Sequence, residues 1–126
     1  MPKTIIETAS APAPIGPYSQ AVKAGNMLFI SGQVAINPAT GNVEATDVQG
    51  EAHQVMKNLG AILQAAGMDF SQVVKTSIFL SDMSLFTTVN EVYAQYLQGG
   101  YPARETVAVK GLPKNVNVEI SMIAVS

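Results

Sequence analysis

Two side chains in this sequence could do chemistry on a small anionic molecule, Arg104 and Glu119. Arg104 is the only arginine in the chain and comes just before a predicted strand. Its planar guanidinium can hold a carboxylate through two parallel hydrogen bonds. Glu119 lies within the last predicted strand, where a carboxylate can hold a water molecule or accept a proton. Each residue also has a simpler interpretation, a surface ion pair for Arg104 and a solvated strand residue for Glu119.

Four other positions could line a binding cleft, and the residues alone leave their roles open. Tyr18 follows a Gly-Pro pair, so it either closes over a pocket or anchors its loop on the core. Ser31 and Gly32 form a small pair inside a predicted strand, which either permits tight packing or exposes a backbone N–H to an anion. Asn90 lies on the apolar side of a predicted helix, where its amide needs hydrogen-bond partners from the protein or from a ligand.

The composition excludes several other kinds of site. The 126-residue chain has no cysteine, so thiolate catalysis, disulfides and cysteine-ligated zinc or iron–sulfur centres are excluded. Its single histidine, His53, rules out a site with two histidine ligands, and we interpret it as a solvated residue on the polar face of a helix. We expect no metal site. A net charge of −2 with seven basic residues argues against binding a nucleic-acid backbone.

The chain is poor in charge for its size. Charged residues make up 13% of it and hydrophobic residues 48%, whereas an ordinary domain has roughly 25% charged residues. No apolar run has the length of a signal peptide or of a membrane span. We therefore expect a cytoplasmic protein without a membrane partner. Residues 1–126 should form a single domain that buries part of its surface against other subunits.

The spacing of apolar residues predicts two helices and several strands. Period-two and β-branched runs predict strands at residues 21–24, 27–34, 73–80, 105–110 and 116–125. Intervals of three and four predict a helix at residues 48–66 and a second helix at about residues 84–97. Thr46 with Gln49 fits a capping box before the first helix, and Gly67 fits its end.

This order of elements predicts an α+β domain with both helices on one face of the sheet. The opposite face should carry Glu119, Ser121, Thr106 and Lys75. Such a face is polar but has few charges. We therefore expect it to be buried against another subunit rather than open to water.

Five blocks in the chain resemble the RidA (YjgF) family. They are APIGPYSQA (13–21), ISGQV (30–34), VNEVY (89–93), YPARETVAV (101–109) and LPKNVNVEI (112–120), and the resemblance runs from about Pro12 to Val125. It implies a chorismate-mutase-like α+β fold with a mixed sheet, and a homotrimer with clefts between neighbouring subunits. It also implies hydrolysis of 2-iminopropanoate, 2-iminobutanoate and their enamine tautomers to 2-oxo acids and ammonia, without a cofactor.

The resemblance assigns roles to the candidate residues. Arg104 matches the arginine that binds the substrate carboxylate, and Glu119 matches the glutamate that holds the attacking water. Tyr18, Gly32 and Asn90 match other positions in the substrate cleft. Two further residues complete the expected substrate-binding set, Ser31 beside Gly32 and Thr106.

Two residues depart from the sequence PARSCV that many members share. Thr106 stands in place of the cysteine, which is tolerable if the position contributes mainly backbone contacts. Glu105 stands in place of the serine. Its charge would repel an anionic substrate if the side chain points into the cleft, and would matter little if it points away. Both departures bear on the substrate range more than on the fold.

Two other functions are weighed against the deaminase. The same cleft could bind a 2-oxo acid without catalysis and act as a regulatory protein. RNA cleavage or inhibition of translation has been attributed to some relatives. The net charge of −2, the single histidine and the lack of a basic-aromatic patch argue against that activity.

Overall fold

The computed structural model describes residues 2–126, in which eight strands and two α-helices are formed. The strands are β1 (Thr4–Ile6), β2 (Ala21–Ala24), β3 (Met27–Gln33), β4 (Ile36–Asn37), β5 (Asn42–Val43), β6 (Val73–Leu80), β7 (Ala103–Ala108) and β8 (Val118–Val125). The helices are α1 (Val48–Ala65) and α2 (Phe86–Ala94). Six strands form one sheet in the order β1-β2-β3-β8-β6-β7, and β4 pairs with β5. Only the β6–β7 pair of this sheet is parallel, so the sheet is mixed and the fold is α+β, as predicted.

Both helices pack on the same face of the sheet, and the core lies between the two layers. On β8, Val118, Ile120 and Met122 are buried beneath α1. The hydroxyl of Tyr93 in α2 reaches Thr76 in β6, which is paired with Met122 and therefore lies on the same face. The predicted layer arrangement is confirmed.

The other face of the sheet is more open and has few charges. Glu119, Ser121 and Lys75 lie on it, as the alternation predicts. Thr106 does not, and the prediction for that residue is wrong. Thr106 is paired with Ile78, which is buried under the helices, and paired residues in a sheet point to the same side.

The ends of the helices differ from the sequence prediction in local detail. Asp47, not Thr46, caps α1, since its carboxylate accepts a hydrogen bond from the Gly50 N–H at 2.7 Å. Gly67 ends this helix as predicted, with a φ of 73° that suits glycine.

The second helix is shorter at both ends than its apolar pattern suggests. A separate 3₁₀ turn at Met83–Leu85 precedes the helix. Asp82 caps this turn, because its carboxylate accepts a hydrogen bond from the Ser84 N–H. Beyond Ala94 the backbone bonds span three residues, as in Leu97 N–H to Ala94 O, so the chain tightens and leaves the α-helical path.

Neither α1 nor α2 is long and apolar enough to cross a membrane. Within residues 2–126, no three His, Asp or Glu side chains come close enough together to hold a metal ion.

Candidate functional site

Arg104 lies inside β7 and faces α2. Strand β7 begins at Ala103, earlier than predicted, and this places Arg104 opposite the buried Thr76 of β6. The guanidinium donates a hydrogen bond to Asn90 Oδ1 at 2.7 Å. It also lies 5.6 Å from the ring centre of Phe86 and 5.2 Å from that of Tyr93. A cation over aromatic faces is attracted to the π-electrons, so three residues of one helix hold the side chain in place.

A cleft of about 460 Å³ opens beside this arginine. We call it the arginine half-site. It is lined by Asn90, Tyr93, Ala94, Tyr101, Pro102 and Arg104. The bond to Asn90 uses one of the five N–H donors of the guanidinium. The half-site therefore offers a half-buried, oriented cation to an incoming carboxylate.

The aromatic residues beneath Arg104 are functional candidates that the sequence analysis did not single out. Phe86 and Tyr93 belong to the apolar stripe of the second predicted helix, and they flank Asn90 at the spacing of one helix face. The Tyr93 hydroxyl donates to Thr76 Oγ1 at 3.0 Å. Burial raises the pKa of Tyr93, so the hydroxyl keeps its proton and remains a donor.

Thr106 lies two residues after Arg104 on the same face of β7 and is paired with the buried Ile78. Its Oγ1 is buried and, among residues 2–126, has no hydrogen-bond partner. A buried hydroxyl without a partner costs about 1–3 kcal/mol. This cost is carried by the residue that stands in place of the family cysteine.

Replacing Thr106 with valine should therefore raise the free energy of unfolding by about 1 kcal/mol. Valine keeps the shape and removes the unpaired hydroxyl. Thr76→Val is the matched control on the neighbouring strand. There the Tyr93 hydroxyl loses its acceptor, so stability should fall by about 1–3 kcal/mol. Urea unfolding of both variants measures the two signs, and a loss of stability in Thr106→Val would contradict this account of the hydroxyl.

Glu119 lies on the opposite face of the sheet, against a bulge in β3. The register between β3 and β8 shifts between Ile30 and Gln33, so Gly32 lies in an irregular stretch. A Cβ on Gly32 would lie 2.8 Å from Glu119 Cδ and 2.9 Å from its Oε2. Gly32 therefore lies at a bulge, and its lack of a side chain lets the Glu119 carboxyl approach the backbone closely. Burial raises the pKa of the Glu119 carboxyl, which suits a group that exchanges protons.

A second cleft, of about 390 Å³, opens in front of Glu119. We call it the glutamate half-site. Its polar lining comes from Tyr18, Ser31, Gly32, Lys114 and Glu119, and its apolar lining includes Ile15, Val34 and Ile36. The structure thus brings four of the predicted site residues together here. Lys114 is a member that the sequence analysis did not single out.

Ser31 and Tyr18 contribute to this half-site in different ways. The Ser31 hydroxyl donates to the Ser19 carbonyl at 2.6 Å, and its N–H donates to the Gln20 carbonyl at 3.0 Å. Ser31 therefore fastens the Tyr18 loop to β3. Tyr18 itself is half exposed, and its hydroxyl accepts a long bond of 3.4 Å from the Ile15 N–H. The residue lines the cleft rather than packing in the core.

Replacing Gly32 with alanine should displace the Glu119 carboxylate and lower the imine hydrolysis that the family resemblance implies. The far end of a flexible side chain can move away, so stability should change little. A displacement of about 1 Å at a reacting group can cost about 100-fold in rate, and we expect a loss of 10- to 100-fold in kcat/KM. Gly111→Ala is the control, because a Cβ there meets nothing within 4 Å. Equal activity of the two variants would contradict the role given to this close approach.

The two half-sites cannot act on one molecule within a single chain. Glu119 is paired with Phe79, and Arg104 with Thr76, so their partners on β6 are three positions apart along the strand. Strand β6 also lies between β8 and β7. These separations amount to roughly 10 Å along the strands and roughly 10 Å across them. The two side chains also point to opposite faces of the sheet.

The structure answers the question about Glu105 and corrects the interpretation of His53. Glu105 points away from Arg104, accepts a hydrogen bond from Ser77 Oγ, and pairs with Lys75 Nζ at 2.9 Å. The Ser77 bond, followed by Lys75, lowers the pKa of Glu105, so the carboxyl keeps its charge. The register of β7 places this charge on the face opposite the arginine half-site. His53 is not fully solvated. It is half-buried, and its Nδ1 lies 2.8 Å from the Tyr96 hydroxyl. The segment after α2, which contains Tyr96, therefore contacts α1 at this point.

The chain is similar to known proteins over almost its whole length. The family model described as Endoribonuclease L-PSP matches residues 8–126. Mouse 2-iminobutanoate/2-iminopropanoate deaminase is 51% identical over 123 residues, 98% of this chain and 91% of the mouse protein. The crystal structure of RidA from an Antarctic Psychrobacter is 43% identical with a TM-score of 0.95, covering 98% of this chain and 99% of that one.

One solved relative holds a small molecule. Escherichia coli TdcF with bound serine is 45% identical with a TM-score of 0.94, over 98% of each chain. Together with the family model, these similarities confirm the resemblance found in the five sequence blocks. The chain belongs to the Endoribonuclease L-PSP family, the family of RidA and YjgF.

Proposed function

We propose that this protein hydrolyses 2-iminobutanoate, 2-iminopropanoate and their enamine tautomers to 2-oxo acids and ammonia. It does so as a cytoplasmic homotrimer of chorismate-mutase-like fold, with a cleft between each pair of neighbouring subunits. The relatives named for this activity support the reaction, since the mouse protein is 51% identical over nearly the whole chain. The observation that carries the subunit arrangement is the separation of Arg104 and Glu119 on opposite faces of one sheet.

The proposed cleft joins the arginine half-site of one subunit to the glutamate half-site of its neighbour. Arg104 binds the substrate carboxylate through parallel hydrogen bonds, with Asn90 holding the guanidinium from the side. Thr106 lies on the same face of β7 as Arg104. Gly32 offers its backbone to the substrate across the cleft, Tyr18 covers the opening, and Ser31 fixes the loop that carries Tyr18.

The chemistry required of this cleft is modest, because such imines already hydrolyse in water. Glu119 orients one water molecule against C2 of the bound imine and takes up its proton as the C–O bond forms. The proton then passes to the nitrogen, which gives a carbinolamine. Glu119 transfers the hydroxyl proton to the amino group in the same way, the C–N bond breaks as the second C–O bond forms, and ammonia leaves with the 2-oxo acid remaining. No step requires a cofactor or a metal ion. The raised pKa of Glu119 helps the carboxyl to carry the proton between these two events.

The exposed face of the sheet supports the trimer. Phe29 and Val107 lie on it with 42% of each side chain exposed, together with the half-buried Phe79 and Ile123. A stable interface needs an apolar patch with few charges at its centre. Covering this face with neighbouring subunits accounts for the low fraction of charged residues in the chain, which is 13%.

A coupled assay tests the proposed reaction. Threonine dehydratase supplies 2-iminobutanoate, and semicarbazide traps the imine that has not been hydrolysed. Adding the protein should suppress the semicarbazone signal and speed the release of 2-oxobutanoate. An unchanged signal with measurable binding of 2-oxobutanoate would instead support the metabolite-binding alternative.

The name of the family model refers to RNA cleavage, and our proposal does not include it. The chain carries a net charge of −2, and the ring of His53 is engaged by the Tyr96 hydroxyl. A nucleic-acid binder usually presents a cluster of Lys and Arg to the phosphates. Ribonuclease activity that persists through repeated purification, and is lost on replacing a residue of either half-site, would overturn this exclusion.

A further inference from the structure

Lys114 lines the glutamate half-site, and the reaction described above gives it no role. It shares this cleft with Glu119 and with the apolar side chains of Ile15, Val34 and Ile36. The residue is exposed, so its ammonium can turn toward a ligand. A chain with only seven basic residues has placed one of them in the same cleft as the proposed catalytic carboxylate.

The backbone at this position adopts an unfavourable conformation. Lys114 has a φ of 59° and Asn115 a φ of 55°, the only two non-glycine residues with positive φ in residues 2–126. Side chains with a Cβ rarely adopt this region, and such strain concentrates at binding and catalytic sites. Two strained residues in succession turn the chain sharply between Leu112 and Val116, and this turn carries Lys114 at the cleft.

A hydrogen-bond network around the buried Glu51 fixes the turn from its other side. Glu51 in α1 is 6% exposed, and its carboxylate accepts hydrogen bonds from the Asn117 N–H at 2.9 Å and from Asn117 Nδ2 at 2.6 Å. Asn117 Oδ1 in turn accepts from Ser81 Oγ at 2.8 Å. The residue after the turn is thereby tied to α1 and to the end of β6. Lys114 is therefore presented from a fixed point of the backbone.

From this placement, and resting on the proposed function, we infer that Lys114 selects 2-imino acids whose side chain ends in a second carboxylate. Arg104 of the neighbouring subunit holds the first carboxylate, and C2 lies at Glu119. The substrate side chain then extends into the glutamate half-site, whose whole volume of about 390 Å³ leaves space beyond C2 and the attacking water. Its apolar walls and single cation match a short methylene chain with an anionic end.

Kinetics with two imines test this inference. L-Glutamate and an amino-acid oxidase supply 2-iminoglutarate, and threonine dehydratase supplies 2-iminobutanoate, each followed by suppression of the semicarbazone. Lys114→Met should lower kcat/KM for 2-iminoglutarate by about tenfold, as expected for one charge-assisted hydrogen bond, and should leave 2-iminobutanoate within about twofold. Lys110→Met, an exposed lysine outside both half-sites, should change neither value.

Two further variants separate charge from backbone strain. Lys114→Arg should keep most of the preference for 2-iminoglutarate, because it keeps the charge. Lys114→Gly should lose the preference while its melting temperature stays the same or rises, because glycine relieves the positive φ. Retention of the preference in Lys114→Gly would overturn the role of the ammonium.

The remaining outcomes distinguish this inference from the proposed function. Equal losses on both imines in Lys114→Met would show that the residue shapes the cleft or binds the shared carboxylate, and would overturn the inference. A parent protein that hydrolyses 2-iminobutanoate but not 2-iminoglutarate would also overturn it, with the proposed function intact. A parent protein that hydrolyses neither imine would remove both.

Discussion

Replacing Arg104 with alanine is expected to lower kcat/KM for 2-iminobutanoate by at least about 100-fold. Each charge-assisted hydrogen bond contributes about 1.5–3 kcal/mol, and a carboxylate held by the guanidinium fork makes two of them. A difference of about 1.4 kcal/mol corresponds to a factor of ten. Arg104→Lys should also be poorly active, since an ammonium cannot present two parallel N–H groups. The coupled imine assay measures both variants.

This prediction requires that the Arg104 variants still fold and assemble. The Arg104 guanidinium also contacts Asn90, Phe86 and Tyr93, so alanine leaves a gap beside α2. Solution mass and urea unfolding show whether assembly and stability survive the change. Lys110→Ala removes a positive charge elsewhere on the surface and should retain full activity. Parent-level hydrolysis by a folded Arg104→Ala or Arg104→Lys protein would refute the role of Arg104.

Replacing Glu119 with glutamine is expected to lower kcat by about 100- to 10,000-fold, the usual contribution of a general acid–base group. Glutamine keeps the size of the side chain but cannot take the proton of the attacking water. Because burial raises the pKa of Glu119, the active carboxylate should be lost on acidification at a higher pH than an ordinary glutamate would give. The pH profile of kcat/KM for the parent measures this acidic limb.

The same pKa shift predicts that Glu119→Gln gains stability while it loses activity. A folded-state pKa above the unfolded value means that the fold favours the protonated carboxyl. Its contribution to stability is fully present below the unfolded pKa and is lost as the pH rises through the folded pKa. At neutral pH the buried charge therefore opposes folding, and glutamine removes it. Urea unfolding at pH 7 should show the gain, and a large loss of stability would assign Glu119 a structural role instead.

The sequence predicted the layers of the fold and the main site residues for identifiable physical reasons. Periodicity located both helices and the strands of the core, because burial on one face imposes a period on the chain. The types and positions of Arg104 and Glu119 indicated carboxylate binding and proton transfer. Thr106 was assigned to the wrong face because the polar residue of an alternating pair is expected on the open side, whereas here Val107 is 42% exposed on that side and Thr106 is paired with the buried Ile78.

Other features depend on contacts between distant parts of the chain. Glu51 and Asn117 are 66 residues apart, and nothing local to either residue marks the buried pair that they form. His53 and Tyr96 are 43 residues apart, which is why the histidine was interpreted as solvated. The exposed position of Lys114 in a strained turn follows from this long-range network and from the Pro113–Asn115 turn. Spacing along the sequence carries no direct signal for such pairs.

The most direct test of the shared cleft mixes the two inactive variants. Arg104→Ala and Glu119→Gln subunits are unfolded together in equal amounts, refolded, and assayed on 2-iminobutanoate beside separately refolded samples. If each cleft takes Arg104 from one subunit and Glu119 from its neighbour, random trimers should recover about one quarter of the parental activity. A cleft is active only when the subunit on one side carries an intact Arg104 and the subunit on the other side an intact Glu119. In an equal mixture each condition is met in half of the clefts. A mixture that stays as inactive as its components, while refolded parent protein regains full activity, would contradict a cleft built from two subunits.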